Sequence, residues 1–148
     1  GGDNVPAMGW FSAVRFDNDI LYYGQDSNTD VPAFLSYNLQ SGEFSKLPLT
    51  PSDASPPPLQ GHFAWPSNNT MLVGGQLAAD NDVTFAIYAY DLPSASWSFL
   101  GAGACIQRLY SQAAFDGSGN FFVVGGHTFS GADAPGCIND VWEFRLAA

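Results

Sequence analysis

The sequence predicts an all-β protein built from repeated units of four antiparallel strands. Three short apolar runs each end in a glycine-containing turn, and the residues after these turns, Gln25, Gln76 and His127, lie at intervals of 51 residues. A fixed period of this length indicates a solenoid, a propeller or an array of repeats. Each repeat also divides into short alternating or apolar runs separated by turn residues. Because no segment has the 3.6-residue apolar period of a capped helix, we expect helix to be almost absent.

The first repeat predicts four strands, at Trp10–Phe16, Ile20–Gly24, Ala33–Leu39 and Glu43–Leu47. The second predicts four more, at Gly61–Trp65, Thr70–Gly75, Phe85–Leu92 and Ser96–Leu100. The third predicts three, at Tyr110–Phe115, Asn120–Gly126 and Asn139–Leu146. Residues that favour turns separate these strands, as in Asp17-Asn18-Asp19 and Gln40-Ser41-Gly42. The prediction is one domain over residues 1–148, with blade-like units at about 10–47, 61–100 and 110–146.

The repeats resemble the kelch repeat, in which an apolar strand precedes a glycine pair, a tyrosine follows, and a tryptophan comes after a short gap. The second repeat has Met71–Gly75, Tyr90 and Trp97 at these positions. The first has Tyr23-Gly24, Tyr37 and Phe44, and the third has Val123–Gly126 and Trp142 but no fourth strand. The resemblance implies a kelch-like β-propeller with four-stranded antiparallel blades, and often a binding surface, but not an enzyme. A β-sandwich with regular turns is the alternative, which the shared period disfavours.

Three blades predict an incomplete ring, because closed propellers have about 4–8 blades. An uncovered blade face and an unpaired strand edge would favour aggregation. The ring could be completed by the rest of a longer propeller of which the chain is a fragment, by a second copy giving six blades, or by head-to-tail stacking into a filament. We expect one of these rather than a lone monomer, because terminal repeats normally need polar caps.

The composition excludes two classes of partner. The net charge is −10, and the only basic residues are Arg15, Lys46, Arg108 and Arg145, so nucleic acid is not expected to bind. The same charge disfavours an anionic membrane surface, and no apolar run approaches the ~20 residues of a membrane span. Only 12% of residues are charged, and small polar residues take their place, as in many secreted or cell-surface β-proteins. Gly1–Met8 lacks the features of a signal peptide, so we expect any targeting peptide to have been removed.

The longest predicted loops leave the blades on one side, which we call the long-loop face. It comprises Asp26–Pro32, Leu77–Val83, Thr128–Ile138 and the crossovers Pro48–Gln60 and Gly101–Leu109. Long loops on a rigid scaffold often carry binding residues. Six acidic residues make this face a possible binding surface for a cation or a basic partner: Asp26, Asp30, Asp53, Asp80, Asp82 and Asp133. The alternative is that Asp is common in turns.

Two modifications are also predicted. Cys105 and Cys137 both lie on the long-loop face, so a disulfide is expected; it would close a loop of about 30 residues and stabilise the fold by a few kcal/mol. Two buried thiols are the alternative. Asn68 begins the sequon Asn68-Asn69-Thr70 in a hairpin turn on the opposite face, where an acceptor would be accessible. The sequence therefore predicts a glycoprotein, if a eukaryotic cell secretes it.

No set of residues indicates catalysis. Copper-radical oxidases such as galactose oxidase also have a kelch-like propeller, but that likeness would require a cysteine-linked tyrosine and two histidines at the copper. His62 and His127 are instead expected to be strand-end residues. Paired carboxylates such as Asp17 and Asp19 lie in turns, and there is no Gly-x-Ser-x-Gly elbow. We therefore expect no enzyme activity, no metal ion and no cofactor.

Two functions remain, with a copper-radical oxidase fragment as a distant third. The first is an extracellular structural protein that self-assembles through its open blade edges, or is completed by the rest of a longer propeller. The second is a recognition module that binds a protein or a carbohydrate through the long-loop face. No aromatic platform is evident on that face, because five strand aromatics are expected to pack between blades: Tyr22, Tyr23, Trp65, Tyr88 and Tyr90.

Overall fold

The structure is a computed structural model that describes residues 7–49, 54–77, 84–104, 111–128, 136–137 and 139–145. These residues form strands and no helix, so they contain no helix that could cross a membrane. The strands are β1 Met8–Phe16, β2 Asp19–Asp26, β3 Pro32–Asn38, β4 Glu43–Lys46, β5 Leu59–Ser67, β6 Thr70–Leu77, β7 Thr84–Asp91, β8 Ser96–Ala104, β9 Gln112–Phe115, β10 Asn120–Val124, β11 His127–Thr128, β12 Gly136–Cys137 and β13 Val141–Arg145.

The strands form three blades in sequence order. Blade 1 is the antiparallel sheet β1-β2-β3-β4, and blade 2 is the antiparallel sheet β5-β6-β7-β8. Blade 3 is the three-stranded sheet β13-β10-β9, beside which β11 and β12 form a separate two-stranded ladder. The predicted all-β architecture with antiparallel blades is confirmed, and the sheets do not close into a ring.

The turns within blades 1 and 2 have matching chemistry. Asp17 and Asn68 lie in the two-residue turns of β1–β2 and β5–β6, with φ values of 48° and 51°. Asp and Asn tolerate this left-handed conformation better than most residues, and it suits hairpins of this length. At the β3–β4 turn, Asn38 Oδ1 accepts a hydrogen bond from the Ser41 amide at 2.9 Å. At the β7–β8 turn, Asp91 Oδ2 accepts one from the Ser94 amide at 3.0 Å.

The third repeat is shifted by one residue relative to the second. Met71 and Val73 of β6 are fully buried, and the fully buried residues of β10 are Phe121 and Val123. The buried positions are therefore 50 residues apart, although the residues after the two glycine pairs are 51 apart. Val124 is the additional residue, and its side chain is 46% exposed.

The shift changes what the glycine pair does in the third repeat. Gly74 and Gly75 lie inside β6, whereas Gly125 and Gly126 have φ values of 60° and 110° and follow the end of β10. The predicted strand Asn120–Gly126 is therefore wrong at its end, because this left-handed backbone interrupts the ladder. After the interruption, β11 pairs with β12 in a short ladder that the sequence did not predict.

Several other strand ends differ from the prediction. β1 and β5 begin two residues earlier, at Met8 and Leu59, and β8 continues to Ala104. β9 begins at Gln112 and β13 at Val141, so the third blade is shorter than expected. Tyr110 and Leu146, two predicted strand ends, lie outside the described residues.

Two apolar clusters fill the seams between neighbouring blades. The first seam joins blades 1 and 2 and includes Tyr23 and Phe34 on one side and Met71, Val73 and Tyr90 on the other. The second seam joins blades 2 and 3 and includes Phe63, Phe85 and Ile87 opposite Phe121 and Val123. Full burial of one such side chain contributes about 1.5–3 kcal/mol, so these seams hold the blades together.

Glycine allows close approach between the first two strands of blade 1. A Cβ atom at Gly24 would lie 2.1 Å from the carbonyl oxygen of Trp10. A backbone atom cannot move aside as the end of a side chain can, so a larger residue at this position would separate β1 from β2. The kelch-like glycine of the first repeat therefore fixes the position of Trp10 at the inner edge of the blade.

A candidate binding cleft along the inner strands

A cleft of about 690 Å³ runs along the first strands of the three blades, β1, β5 and β9. Each of these strands is at one edge of its own sheet, and β5 contacts both β1 and β9. The volume lies within the ~300–1,000 Å³ range of small-molecule sites. We call it the axial cleft; most of its lining comes from the inner strands, and Leu59 also belongs to the crossover Pro48–Gln60 of the long-loop face.

Two β-bulges shape the wall of the axial cleft. The pairing of β1 with β2 shifts between Met8 and Trp10, and the pairing of β5 with β6 shifts between Gln60 and Phe63. Bulges bend a strand and redirect its side chains, and they are common next to functional sites. The second bulge contains His62, which therefore lies within β5 and not at the strand's beginning as the sequence predicted.

A hydrogen-bonded pair links blades 1 and 2 at the cleft. Ser12 Oγ lies 2.9 Å from His62 Nδ1 and donates a hydrogen bond to the His62 carbonyl oxygen at 3.0 Å. The His62 ring also packs edge-on against Tyr23, with 5.3 Å between ring centroids. Burial lowers the pKa of His62, and the neighbouring Trp10 backbone opposes this effect more weakly. The imidazole is therefore neutral at neutral pH.

The Tyr23 side chain, which packs against the His62 ring, is itself held by a hydrogen bond. Its hydroxyl donates a hydrogen bond to the Pro57 carbonyl oxygen at 2.7 Å, so the crossover from blade 1 to blade 2 is attached to β2. Burial raises the pKa of Tyr23, with a smaller contribution in the same direction from Tyr88. The folded protein therefore favours the neutral phenol form of Tyr23.

Two polar atoms bordering the axial cleft are buried without a hydrogen-bond partner among the described residues. They are Ser111 Oγ and His62 Nε2. Ser111 is only 7% exposed, and it lies directly before β9. A buried polar group without a partner costs about 1–3 kcal/mol, so such groups are rare and often indicate a water or ligand site.

Large aromatic side chains are exposed at the same cleft. Trp10 is 59% exposed, Phe11 is 55% exposed and Trp65 is 36% exposed. The prediction that Trp65 packs between blades is therefore wrong. Trp65 lies on β5 opposite Leu72, near the hairpin end of the strand. Sequence analysis did not find this site. Along an inner strand, side chains point alternately to a covered blade face and to the cleft, and the bulges change which residues point to each side.

The described residues that line the axial cleft carry no formal charge. They are Trp, Phe, Leu and Ala side chains together with Ser12, Gln25, His62, Ser111 and Gln112. The described acidic residues are not among them, although the net charge of the chain is −10. The cleft therefore offers hydrogen bonds and aromatic surface but no ion pair.

The predicted acidic face is described only at two of its six positions. Asp26 Oδ1 accepts a hydrogen bond from the Asn28 amide at 2.9 Å, so this carboxylate caps the β2–β3 turn. Asp30 has a φ of 55° in the same turn. Asp53, Asp80, Asp82 and Asp133 lie outside the described residues. The binding role of this face stays a prediction.

Of the residues predicted to be modified, the structure describes Cys137 and Asn68. Cys137 is exposed in β12, opposite His127 of β11, and Cys105 lies outside the described residues. The disulfide stays a prediction. Asn68 is exposed in its hairpin turn, which is compatible with an acceptor site, and its glycosylation also stays a prediction.

The Ser12–His62 contact lacks the geometry of a nucleophile and its base. In a triad, one imidazole nitrogen contacts the serine and a carboxylate orients the other. Here Ser12 contacts Nδ1, and within the described part of the chain Nε2 has no partner and no carboxylate lines the cleft. Within the described part of the chain, no group of three His, Cys, Asp or Glu side chains is close enough to hold a metal ion.

A second groove lies at the outer part of the first seam, on the long-loop side. It has a volume of about 520 Å³, and its lining includes Val31, Pro57, Leu77 and Phe99. Phe99 is 47% exposed on β8, the strand of blade 2 that is farthest from the axial cleft. The groove has few polar groups, so it offers little specificity for a ligand.

No protein-family model matches the chain. Among curated proteins it is similar to a kelch repeat-containing protein from Arthroderma benhamiae, with 30% identity over 64% of this chain and 17% of that protein. Among solved structures it is similar to the structure of YjhT, with a TM-score of 0.55 and 12% identity over 95% of this chain and 52% of that chain. The chain thus spans about half the length of YjhT and less than a fifth of the curated relative. These similarities confirm the resemblance to the kelch repeat and the kelch-like propeller fold.

Proposed function

Because the chain consists of kelch-like propeller blades, we propose that it is a non-catalytic structural module that assembles by blade-to-blade packing. Second copies of the chain would cover the blade faces that the described residues leave open. The observation that carries this proposal is the apolar outer face of blade 1.

The outer face of blade 1 is a connected set of aromatic rings. Ring centroids are 5.9 Å apart for Phe11 and Tyr22, 6.0 Å for Tyr22 and Phe44, and 4.6 Å for Tyr37 and Phe44. Phe11 is exposed, and the other three are only half-buried. Aromatic surface of this kind is usually covered in a folded assembly, because its burial is strongly favourable.

The corresponding face of blade 2 shows what covers such a surface. Strand pairing places Ile20, Tyr22, Tyr37 and Phe44 at the positions that Met71, Val73, Tyr90 and Trp97 occupy in the next blade. In blade 2 these residues form the first seam against blade 1, and Met71 and Val73 are completely buried. A blade face is therefore the natural occupant of the outer face of blade 1.

The far face of blade 3 offers the complementary surface. Val124 and Val141 are 46% and 62% exposed there, and Phe122 is half-buried between them and the neighbouring strands. One chain thus presents both halves of a blade-to-blade seam at opposite ends. Packing of one copy's blade 3 on the next copy's blade 1 is heterologous, and it gives a closed ring or an open filament depending on the rotation per copy.

Sedimentation velocity over a range of protein concentrations tests this proposal. We expect the wild-type chain to self-associate and Tyr22→Glu to shift it to monomer, because a buried carboxylate at the seam costs several kcal/mol. Phe99→Glu is the matched control: Phe99 is 47% exposed on β8 of blade 2, which belongs neither to the outer face of blade 1 nor to blade 3, so association should persist. A wild-type chain that stays monomeric at every soluble concentration would overturn the proposal.

An extracellular location is part of the same proposal. It is supported by the low content of charged residues, 12%, and by the exposed sequon at Asn68. Intact mass before and after glycosidase treatment, and before and after reduction, would detect the Asn68 glycan and the Cys105–Cys137 bridge. Protein from the native source with neither modification would contradict the extracellular assignment.

Recognition is the second candidate function. The axial cleft favours it, because exposed aromatics and unsatisfied buried polar groups lie together there. The long-loop face, which the sequence suggested for this role, has its two described carboxylates in a turn. Among the described residues the inner strands therefore support a recognition role best, and binding at the long-loop face stays a prediction.

A further inference from the structure

We propose that the axial cleft binds a short neutral saccharide. This inference deepens the recognition role and can be tested apart from blade-to-blade packing, because Trp10 and Trp65 line the cleft and are not used in the assembly proposal. Three features of the cleft carry it: flat aromatic surfaces, uncharged hydrogen-bonding groups and the lack of formal charge among the described residues that line it.

The aromatic surfaces belong to different blades. Trp10 is on β1 and Trp65 is on β5, so their indoles border the same cleft from two sheets. A sugar ring has an apolar C–H face that packs on an aromatic ring, while its hydroxyl groups remain at the rim. Tryptophan suits this contact because it combines a large apolar surface with an N–H donor.

The hydrogen-bonding groups of the cleft named here are all uncharged, and they include both donors and acceptors. Gln25 and Gln112 bring amide donors and acceptors, and Ser12 and Ser111 bring hydroxyl groups. Sugar hydroxyls both donate and accept, so they can satisfy each of these groups. A sugar hydroxyl that bonds to Ser111 Oγ would also remove the cost of leaving this atom buried without a partner among the described residues.

Charged and purely apolar ligands fit the cleft less well. Among the described residues, no Lys or Arg lines it to neutralise an anion, and no Asp or Glu lines it to neutralise a cation. An entirely apolar ligand would leave Ser111 Oγ and His62 Nε2 unsatisfied. Specificity for a polar ligand arises from this cost, because a site built to bond hydroxyl groups rejects a ligand that lacks them.

Matched pairs of disaccharides test the ligand class on the full chain. The neutral probes are cellobiose and N,N′-diacetylchitobiose, and their charged counterparts are cellobiuronic acid and the deacetylated chitosan dimer. Calorimetry and tryptophan fluorescence measure binding. We expect saturable binding of a neutral probe and at least about tenfold weaker binding of its charged counterpart. If no neutral probe binds, or if the charged counterpart binds equally well, the proposal is wrong.

Variants test the place of binding. Trp65→Ala should weaken binding at least about tenfold, whereas Trp65→Phe, which keeps an aromatic ring, should retain most of it. Phe99→Ala is the matched control, because Phe99 is a similarly exposed aromatic outside the cleft. Far-ultraviolet circular dichroism confirms that each variant is folded. Binding that is equal in wild type and Trp65→Ala, or that is lost in Phe99→Ala, would overturn the assignment.

The same titration on Tyr22→Glu separates this inference from the assembly proposal. Tyr22 does not line the axial cleft, so saccharide binding should persist in the monomeric variant. Self-association without saccharide binding would reject the cleft proposal alone, and saccharide binding by a chain that never self-associates would reject the assembly proposal alone.

Discussion

The two seams between the blades differ in chemistry although the same repeat builds them. The first seam contains tyrosines, a tryptophan and a histidine, and Tyr23 is fixed by a hydrogen bond to the Pro57 carbonyl oxygen. The second seam is built largely from phenylalanines, with centroid separations of 5.5 Å for Phe63 and Phe85 and 5.0 Å for Phe85 and Phe144.

This difference explains where the repeat can shift its register. A one-residue shift at the first seam would break the hydrogen bonds from Tyr23 to the Pro57 carbonyl oxygen and from Ser12 to the His62 carbonyl oxygen. Ring packing at the second seam is less directional, because several offset and tilted arrangements have similar energies. The shift in blade 3 is therefore found where the seam depends on apolar contact.

The largest expected effect tests the shifted register at the second seam. Phe121→Ala should lower the free energy of unfolding by about 3–5 kcal/mol, because it removes a fully buried ring. Phe122→Ala, a change of the same size at the next residue, should cost much less, because Phe122 lies on the far face and is half-buried. Urea unfolding of the two variants measures the difference. If Phe122→Ala proved the more damaging, the register would follow the 51-residue spacing after all.

Sequence reasoning found the strands of the first two blades because period and turn chemistry agree there. Asp17, Asn38, Asn68 and Asp91 each have a turn-forming side chain where a hairpin turns. The predicted strand end near Val124 was wrong. The glycine pair of blade 3 keeps the 51-residue spacing of the motif, whereas the buried residues of β10 are 50 residues from those of β6. Spacing alone does not distinguish a glycine inside a ladder from one that ends it.

The axial cleft could not have been predicted from the pattern. Trp10 and Trp65 are strand tryptophans, as is Trp97, which packs between blades. Their exposure depends on two bulges, whose positions depend on how β1 and β5 pair with their neighbours. Ser111 likewise has no sequence signal, since its lack of a partner is a property of the packed fold.

A smaller effect is expected from the hydrogen bond at the first seam. Tyr23→Phe should cost about 1–3 kcal/mol, because it leaves the Pro57 carbonyl oxygen without its donor. Tyr22→Phe is the control: Tyr22 is the neighbouring tyrosine on the outer face, so the same change should have little effect on monomer stability. Thermal or urea unfolding measures both, and equal losses in the two variants would contradict a polar role for the first seam.

The same tyrosine predicts a loss of stability in alkaline solution. The pKa of Tyr23 is raised by burial, so above about pH 10 the unfolded chain loses this proton before the folded chain does. Stability is therefore fully present below pH 10 and is lost as the pH rises above it. Tyr23→Phe should show a shallower loss than wild type, and an unchanged alkaline slope would count against the buried phenol.

The smallest expected effect concerns the histidine of the first seam in mild acid. Burial lowers the pKa of His62 below its usual value near 6.5, so the unfolded chain binds a proton more readily than the folded chain. Stability is then retained above about pH 6.5 and decreases as the pH falls, by at most about 1.4 kcal/mol per pH unit. His62→Gln should flatten the urea-unfolding profile between pH 7 and 5, while Phe122→Ala should leave its slope as in wild type. If the stability of the wild-type chain does not change between pH 7 and 5, the folded chain binds the His62 proton as readily as the unfolded chain does. The polar contacts of the first seam would then tolerate a charged imidazole, and they would fix the pairing of blades 1 and 2 less strictly than we argue.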